Sequence, residues 1–336
     1  MILVTGGTGL VGSHILLRLS KEKIPFKALK RKESCLKICE DIFRYYKQKH
    51  LFKKIKWVTG DINDIPSLDE AMQDCNKVIH AAAIVSFHNE DIDIMQKTNV
   101  EGTENIVNVC LSLGIKKLSY ISTIAALGRN SNTEIINEEC IFKKDHDQSY
   151  YALSKYYAEQ EVWRGSEEGL DVVITNPSVI LGPGDWDKGS SQIFKKIFTG
   201  LKFYTQGSSG YVDVIDVANC AIKLLESDIK NKRFIINSEN LKYQELFNLI
   251  SDKFKKPRPS IKVTPFLKEV AWRLEYLKSF FTNKKPLITK QSANFAMKNT
   301  RYSNTKIKES MKYQFIPIEE SVEKYCDWFR NRILKS

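Results

Sequence analysis

Thr5-Gly6-Gly7-Thr8-Gly9-Leu10-Val11-Gly12 decides how this chain reads: it follows the apolar run of residues 1–4 and opens an amphipathic stretch over 10–22. Gly6, Gly9 and Gly12 fit G-x-x-G-x-x-G, and Gly7, Gly9 and Gly12 fit G-x-G-x-x-G. Glycines at that spacing permit a tight turn and close backbone approach, so the first amides of the following helix can hold a pyrophosphate. A plain strand-to-helix turn uses the same residues, and a glycine motif alone discriminates poorly. The apolar run before it and the helical pattern after it supply the context of a dinucleotide loop.

Outward from the loop, strand candidates recur at 1–5, 24–30, 55–59, 77–81, 116–121 and 171–176, with amphipathic stretches at 10–22, 34–49, 66–73, 91–113 and 150–168. Parallel strands need crossover connections, so this alternation predicts an α/β fold, a Rossmann-type doubly wound parallel sheet with helices on both faces. Val78-Ile79 and Val172-Val173-Ile174 are continuous apolar runs, as strands covered on both faces must be. After Pro177 the pattern loosens. Gly182-Pro183-Gly184-Asp185 is a turn signal, followed by a helix near 190–199, strands near 211–215 and 232–237, and further helices. The expected division is a cofactor domain over 1–178, with 211–237 returning to it. A smaller, discontinuous C-terminal substrate-binding domain over 179–210 and 238–336 would close over it. At roughly 100–200 residues per domain, 336 residues suit two.

The second strand of such a sheet ends near the adenosine ribose, where a carboxylate would accept from the 2′-hydroxyl and a basic residue would pair a 2′-phosphate. Lys27-Ala28-Leu29-Lys30-Arg31-Lys32 has no carboxylate before Glu33, so NADP(H) is favoured over NAD(H). A solvated basic turn is the alternative. Asp61, after the third strand, is placed to meet the adenine edge.

Tyr151-Ala152-Leu153-Ser154-Lys155 puts a phenol and an ammonium on one helix face. A nearby cation favours the phenolate and is expected to lower the tyrosine from its ordinary pKa of ~10. Such a tyrosine can protonate a carbonyl oxygen or deprotonate an alcohol. The motif follows, by one strand–helix unit, the Ser/Thr loop Ser119-Tyr120-Ile121-Ser122-Thr123-Ile124-Ala125-Ala126-Leu127-Gly128.

With these stretches the chain resembles, over essentially its whole length, the extended short-chain dehydrogenase/reductases, the NAD-dependent epimerase/dehydratase superfamily. His80-Ala81-Ala82-Ala83, Asn99-Val100-Glu101-Gly102-Thr103, Asn176-Pro177 through Gly182-Pro183 and Tyr211 to Ala218 complete the resemblance. It implies an NAD(P)-dependent oxidoreductase with Tyr151 as acid/base. Lys155 would hold the nicotinamide ribose and tune the tyrosine, and Thr123, rather than Ser122, would bond the substrate oxygen. Cofactor contacts are implied for Gly6, Gly9, Leu10, Val11, Gly12, Asp61, Ile62, Ala81, Lys155 and Pro177, with Arg31 facing the 2′-phosphate as in the reductase branch. Asn99 matches the family's helix-bending polar residue near the proton relay; a capping or kinking role is an equal alternative.

The family's nucleotide-sugar dehydratases follow the loop threonine with Asp-Glu, where this chain has Ile124-Ala125. Its sugar epimerases commonly have a tyrosine before the loop glycine and Arg-Pro after the sixth strand, where this chain has Leu127 and Asn176. The resemblance is closer to the dihydroflavonol-reductase, cinnamoyl-CoA-reductase and hydroxysteroid-dehydrogenase branch. That implies carbonyl/alcohol redox on a moderately apolar small molecule. A nucleotide-sugar epimerase using the same Tyr151 and Lys155 and a non-catalytic NAD(P)-binding regulatory protein are the alternatives. The presence of both Tyr151 and Lys155 weighs against the second.

Composition excludes other classes. No uncharged apolar run approaches the ~18 residues of a membrane span, and because the run at 1–4 leads straight into the glycine loop no cleavable leader is expected. The seven cysteines are scattered at 35, 39, 75, 110, 140, 220 and 326, which predicts reduced thiols in a cytoplasmic protein and no metal site.

The formal charge of +12 is concentrated: residues 252–290 hold eleven Lys/Arg and three acids, a net of +8, which leaves +4 elsewhere. Within that segment 266–281 reads as a helix. Leu267, Val270, Leu274, Leu277 and Phe281 form a stripe expected to pack down, and Trp272, Tyr276 and Phe280 form a second, spare one. A lid over an apolar substrate, or a membrane-surface contact through 262–285, is the functional reading. Burial between domains or in an oligomer interface, such as a homodimer's, is the alternative. Nothing matches a nucleic-acid module, so no nucleic-acid partner is expected.

Overall fold

The computed structural model describes residues 1–128, 135–142, 148–282 and 289–333. Seven parallel strands form the main sheet: β1 (Ile2–Thr5), β2 (Phe26–Lys30), β3 (Trp57–Thr59), β4 (Lys77–His80), β5 (Lys117–Ile121), β6 (Asp171–Pro177) and β7 (Lys232–Ile236). Their order is β7-β6-β5-β4-β1-β2-β3. The connections reverse beside β1, and the crevice at the carboxyl ends there is where an open α/β sheet binds ligands.

Alternate side chains of each strand enter opposite layers. Leu3, Val78, Leu118 and Val172 meet the helices Gly102–Ser112 and Tyr150–Glu167 on one face. Val4, Ala28, Ile79 and Ile121 meet the helices Leu10–Glu22 and Val214–Glu226 on the other. Burying each large aliphatic side chain contributes roughly 1.5–3 kcal/mol.

Three elements differ from their sequence patterns. The strand expected at 211–215 runs Ser208–Asp213, and it joins a second sheet with Val179–Leu181 and Glu239–Lys242 rather than the main one. Asp213 ends it: its Oδ1 accepts from the Ile215 amide at 2.8 Å and starts the helix Val214–Glu226, which returns the chain to the main sheet. The stretch 34–49 forms the helix Lys37–Tyr45 and the turn Lys49–Phe52, separated at Lys47, whose φ is 57°. The stretch 91–113 is continuous but carries a π-helical segment, Gln96–Glu101, between Ile92–Met95 and Gly102–Ser112.

The helix Pro265–Thr282 corrects the packing expectation. Leu274 and Leu277, assigned to the packed stripe, are 59% and 52% exposed, and Tyr276 of the spare stripe is 63% exposed. The reason is its support. It packs against the short helix Lys290–Phe295, joined by Lys268 Nζ to Asn294 Oδ1 at 2.7 Å, which covers little of an 18-residue cylinder. Its charge is also compensated, because Lys268 and Arg273 pair with Glu269, and Lys278 with Glu275. The side chains of Phe280 and Phe281, and residues 283–285, lie outside the described residues. Among the described residues no helix is long and apolar enough to cross a membrane. All seven cysteines are unpaired.

Beneath the glycine loop His14 is buried, its Nδ1 2.8 Å from the Leu10 carbonyl, and burial pushes it down from 6.5 to about 4. The folded protein therefore refuses a proton that the unfolded chain accepts. His14 contributes stability that is complete above pH 6.5 and declines as pH falls toward 4. Asp216, pushed up to about 7 by burial, acts in the opposite sense, so the histidine's share is read by difference. Between pH 6.5 and 4.5 urea denaturation should show the wild type losing about 2 kcal/mol more than His14→Gln. Parallel curves would show that His14 does not titrate with unfolding.

Candidate active site

Gly6 stands at φ 70°, and a Cβ there would lie 2.5 Å from the Ala81 carbonyl carbon. The turn closes through Gly9 N to Gly6 O at 3.0 Å and Ser13 Oγ to Gly7 O at 3.0 Å. The helix Leu10–Glu22 begins on Gly9 with no side-chain cap, which leaves its first amides to a ligand. Gly9 is exposed and Leu10 and Val11 are half-buried, while Gly12 packs into the turn beneath them. A cradle of bare backbone backed by interlocked glycines fits a dinucleotide.

At the other end of this crevice Arg31 follows β2 as an exposed side chain, its amide donating to Ser34 Oγ at 3.1 Å. Lys27 corrects the basic-run reading: its buried side chain donates to the Gln73 carbonyl at 2.6 Å, so the strand's alternation removes it from any phosphate. Asp61 Oδ1 accepts from the Asn63 amide at 3.0 Å. Ile62 is a core side chain, and its carbonyl accepts from Asn105 Nδ2 at 3.0 Å. Pro177 ends β6, buried in register with Ile236.

The helix Tyr150–Glu167 is capped by Ser149, whose Oγ accepts from the Ala152 amide at 3.1 Å. It presents Tyr151 to the loop after β5. There Thr123 caps the single turn Ile124–Ala126, accepting from the Ala125 amide at 3.2 Å, and its side chain faces the Tyr151 hydroxyl. Ser122 is buried and faces Glu159 instead. On the outer side the rings of Phe87 and Tyr151 meet edge to face at 6.0 Å, with Val85 and Phe87 exposed.

The tyrosine's expected pKa shift has the wrong sign. Burial pushes Tyr151 up to about 12, and the Thr123 hydroxyl beside it only draws it part of the way back. The ammonium that was to lower it points elsewhere: Lys155 Nζ donates to Tyr120 Oη at 2.5 Å and to the Ile121 carbonyl at 2.9 Å. Two of its three donors are thus held by β5, and one remains for a ligand. Burial pushes Lys155 down to about 7, against the pull of Glu159. Behind it His80, fully buried, joins Thr5 Oγ1 at 2.6 Å and Thr103 Oγ1 at 3.1 Å, and burial pushes it down to about 3.

Asn99 lies in the π-helical segment with its amide fully used. Oδ1 accepts from the Ile84 amide at 2.8 Å, and Nδ2 donates to the Ile84 carbonyl at 2.9 Å and Ser154 Oγ at 3.0 Å. Its carbonyl accepts from Thr103 Oγ1 at 2.6 Å. The side chain ties the loop after β4 to the tyrosine helix and reaches neither Tyr151 nor Lys155 through a direct bond. Among the described residues no three His, Cys, Asp or Glu gather as a metal site.

Sequence reasoning passed over Tyr120, Glu159 and Arg233. Glu159 lies four residues beyond Lys155 on the same helix face and was legible by spacing. Tyr120 was visible only as a strand residue, and Arg233 only as part of a distant strand.

Residues 2–237 match the NAD dependent epimerase/dehydratase family. A Synechocystis sp. protein provisionally named a dihydroflavonol 4-reductase is 28% identical over 343 aligned positions, covering 98% of this chain and 94% of its own length. The crystal structure of gox2253 superposes with a TM-score of 0.82 at 28% identity, covering 99% of this chain and 98% of that one. A UDP-glucose 4-epimerase with UDP-glucose from Thermotoga maritima shares the fold at a TM-score of 0.77 and 20% identity, covering 99% of both chains.

Proposed function

Because the chain belongs to the NAD-dependent epimerase/dehydratase family, as an NAD(P)-dependent oxidoreductase of the extended short-chain dehydrogenase/reductase type, we propose that it is an NADP(H)-dependent carbonyl reductase. In reverse it is an alcohol dehydrogenase, and its substrate is a moderately apolar small molecule. The observation that carries this reading is the Thr123–Tyr151 pair, with the phenol held protonated by burial at the edge of an apolar mouth. A protonated phenol is the form that carbonyl reduction requires.

In this reading Thr123 and Tyr151 hold the carbonyl oxygen between two hydroxyls, and Tyr151 gives its proton as charge develops there. Lys155 keeps its third donor for the nicotinamide ribose, and a positive charge on this helix face favours the phenolate left when Tyr151 gives up its proton. A bound nicotinamide supplies the hydride in the reduction and takes it back in the oxidation. Gly6, Gly9, Leu10, Val11 and Gly12 hold the pyrophosphate, Asp61 and Ile62 the adenine side, and Ala81 and Pro177 the walls of the crevice. Asn99 holds the loop after β4 in place. Residues 1–178 with 214–237 serve the cofactor, and 179–213 with 238–336 close over the substrate. Seven unpaired thiols suit a reducing, cytoplasmic compartment.

Arg31 is assigned the 2′-phosphate. Fluorescence titration should give tighter binding of NADPH than of NADH, and Arg31→Glu should cut that preference about tenfold or more, the cost of one charge-assisted contact. Equal or better NADH affinity in the wild type removes the assignment. A carbonyl library followed by NADPH absorbance tests the reaction itself. Turnover with stoichiometric NADPH consumption supports the reductase, whereas an epimerase using the same Tyr151 and Lys155 consumes none.

A further inference from the structure

One charged residue of the site has no place in the reaction above. Glu159 is fully buried, four residues beyond Lys155 and eight beyond Tyr151 on their helix. Its Oε1 accepts from Asn176 Nδ2 at 2.5 Å, its Oε2 lies 3.6 Å from the Arg233 guanidinium, and the Ser122 hydroxyl faces it. Asn176 Nδ2 also donates to the Thr123 carbonyl at 3.0 Å. Arg233 is anchored in turn, its Nε and Nη2 donating to the Glu138 carbonyl at 2.8 and 2.5 Å. One carboxylate thus joins the helix of Tyr151, the loop of Thr123, the end of β6 and the edge strand β7.

We propose that Glu159 is a positioning residue: it clamps the Ser122–Thr123 loop to the helix of Tyr151 and Lys155 and keeps Lys155 cationic. The inference rests on the functional reading, which places Lys155 at the nicotinamide ribose. A buried carboxylate survives without its solvent only when paired and hydrogen-bonded; here Asn176 ties it to the Thr123 loop and Arg233 faces it from β7. Lys155 itself is faced by neutral groups from the sheet, Tyr120 on β5 and His80 on β4, and by Glu159 on its own helix. Burial pushes Glu159 itself up, against the pull of Ser122, Arg233, Asn176 and Lys155; in its ionised form it is the negative charge that opposes the desolvation of the ammonium. Glu159 is faced by Arg233, Lys155, Asn176 and Ser122, while the Glu138 carboxylate is engaged with the Ile235 amide at 2.8 Å.

Glu159→Gln keeps the shape and the acceptor for Asn176 but removes the charge. NADPH dissociation constants, read by fluorescence from pH 5.5 to 9, should rise in the wild type as Lys155 deprotonates. In E159Q the same rise should come about one pH unit lower, with affinity at the acid end unchanged within about twofold. Glu159→Asp should restore the wild-type position, and Lys155→Met should abolish the rise. If E159Q fails to fold, E159Q/R233M removes both charges together and should show the same shift, since Glu159 is the charge that pulls Lys155 up. A rise at the wild-type pH in E159Q or the double variant, with K155M flat, overturns the proposal and leaves the functional reading standing. A K155M profile equal to the wild type's overturns that reading, and the proposal with it.

Discussion

Tyr151→Phe should lower kcat by about 10²–10⁴-fold while leaving the NADPH dissociation constant within about twofold of the wild type's. The ring's surroundings explain the separation. Its edge contact with Phe87 needs no hydroxyl, and the helix is started by Ser149, so phenylalanine fills the same space in the same fold. Removing the hydroxyl leaves Thr123 with its bond to the Ala125 amide, so no polar group is orphaned. The proton donor alone is lost. Because burial holds the phenol well above neutrality, the wild type should reduce its carbonyl substrate at a rate independent of tyrosine ionisation across the neutral range. Steady-state kinetics beside a fluorescence titration checks both halves. Activity within tenfold of the wild type would mean that another group gives the proton.

Gly12→Ala should fail differently, at the cofactor. A Cβ at Gly12 collides with the Gly6 carbonyl oxygen and would stand 2.6 Å from the Gly6 carbonyl carbon and 2.9 Å from Gly7 Cα. None of these is the end of a flexible side chain. The loop must move off the helix, at a cost of about 1–3 kcal/mol in stability. That movement spreads the amides which the pyrophosphate needs together, so NADPH affinity should fall at least tenfold, or about 1.4 kcal/mol. Gly9→Ala is the comparison, because its Cβ would meet only the Gly6 carbonyl oxygen, at 3.4 Å, in an extended backbone. Urea midpoints should therefore drop for Gly12→Ala and hold for Gly9→Ala. Equal midpoints would show that the loop absorbs the collision.

The strands of the main sheet were legible because those at its centre are buried on both faces and carry apolar runs, as at Val78-Ile79 and Val172-Val173-Ile174, between helical patterns. Finer features failed where one local pattern serves two structures. Tyr211-Val212-Asp213-Val214-Ile215 has the aromatic and β-branched composition of a strand, yet Asp213 is equally a helix cap, and the cap prevails at its position. The stretch around Asn99 keeps its helical periodicity through a π-helical turn, since one inserted residue hardly disturbs the apolar count. Of the site, Gly6, Gly9, Gly12, Tyr151 and Lys155 were legible because a loop and a helix hold them at fixed spacing. What spacing does not encode is where a long side chain ends. Lys155 turns to Tyr120 and Ile121, Lys27 turns to Gln73, and Arg233 arrives at Glu159 from a strand far along the chain. The C-terminal helix misled for a related reason: a stripe of leucines predicts burial only if something lies opposite it.

The late arrival of β7 and of the helix Val214–Glu226 constrains how the polypeptide matures. Val4, Ile15, Leu16, Leu19 and Ile79 share one layer with Ala218, Ala221, Ile222 and Leu225, so a nascent chain shorter than about 226 residues leaves that apolar layer open to water. The outermost strand beside β6 is likewise missing until Ile236 has been made. No single cut can then release the nucleotide-binding half as an independent fragment, because the segment that completes it is translated after the first strand of the other sheet. The molecule is sewn together by its own chain order, with the strands Val179–Leu181 and Ser208–Asp213 of the second sheet lying between β6 and the helix that completes the first.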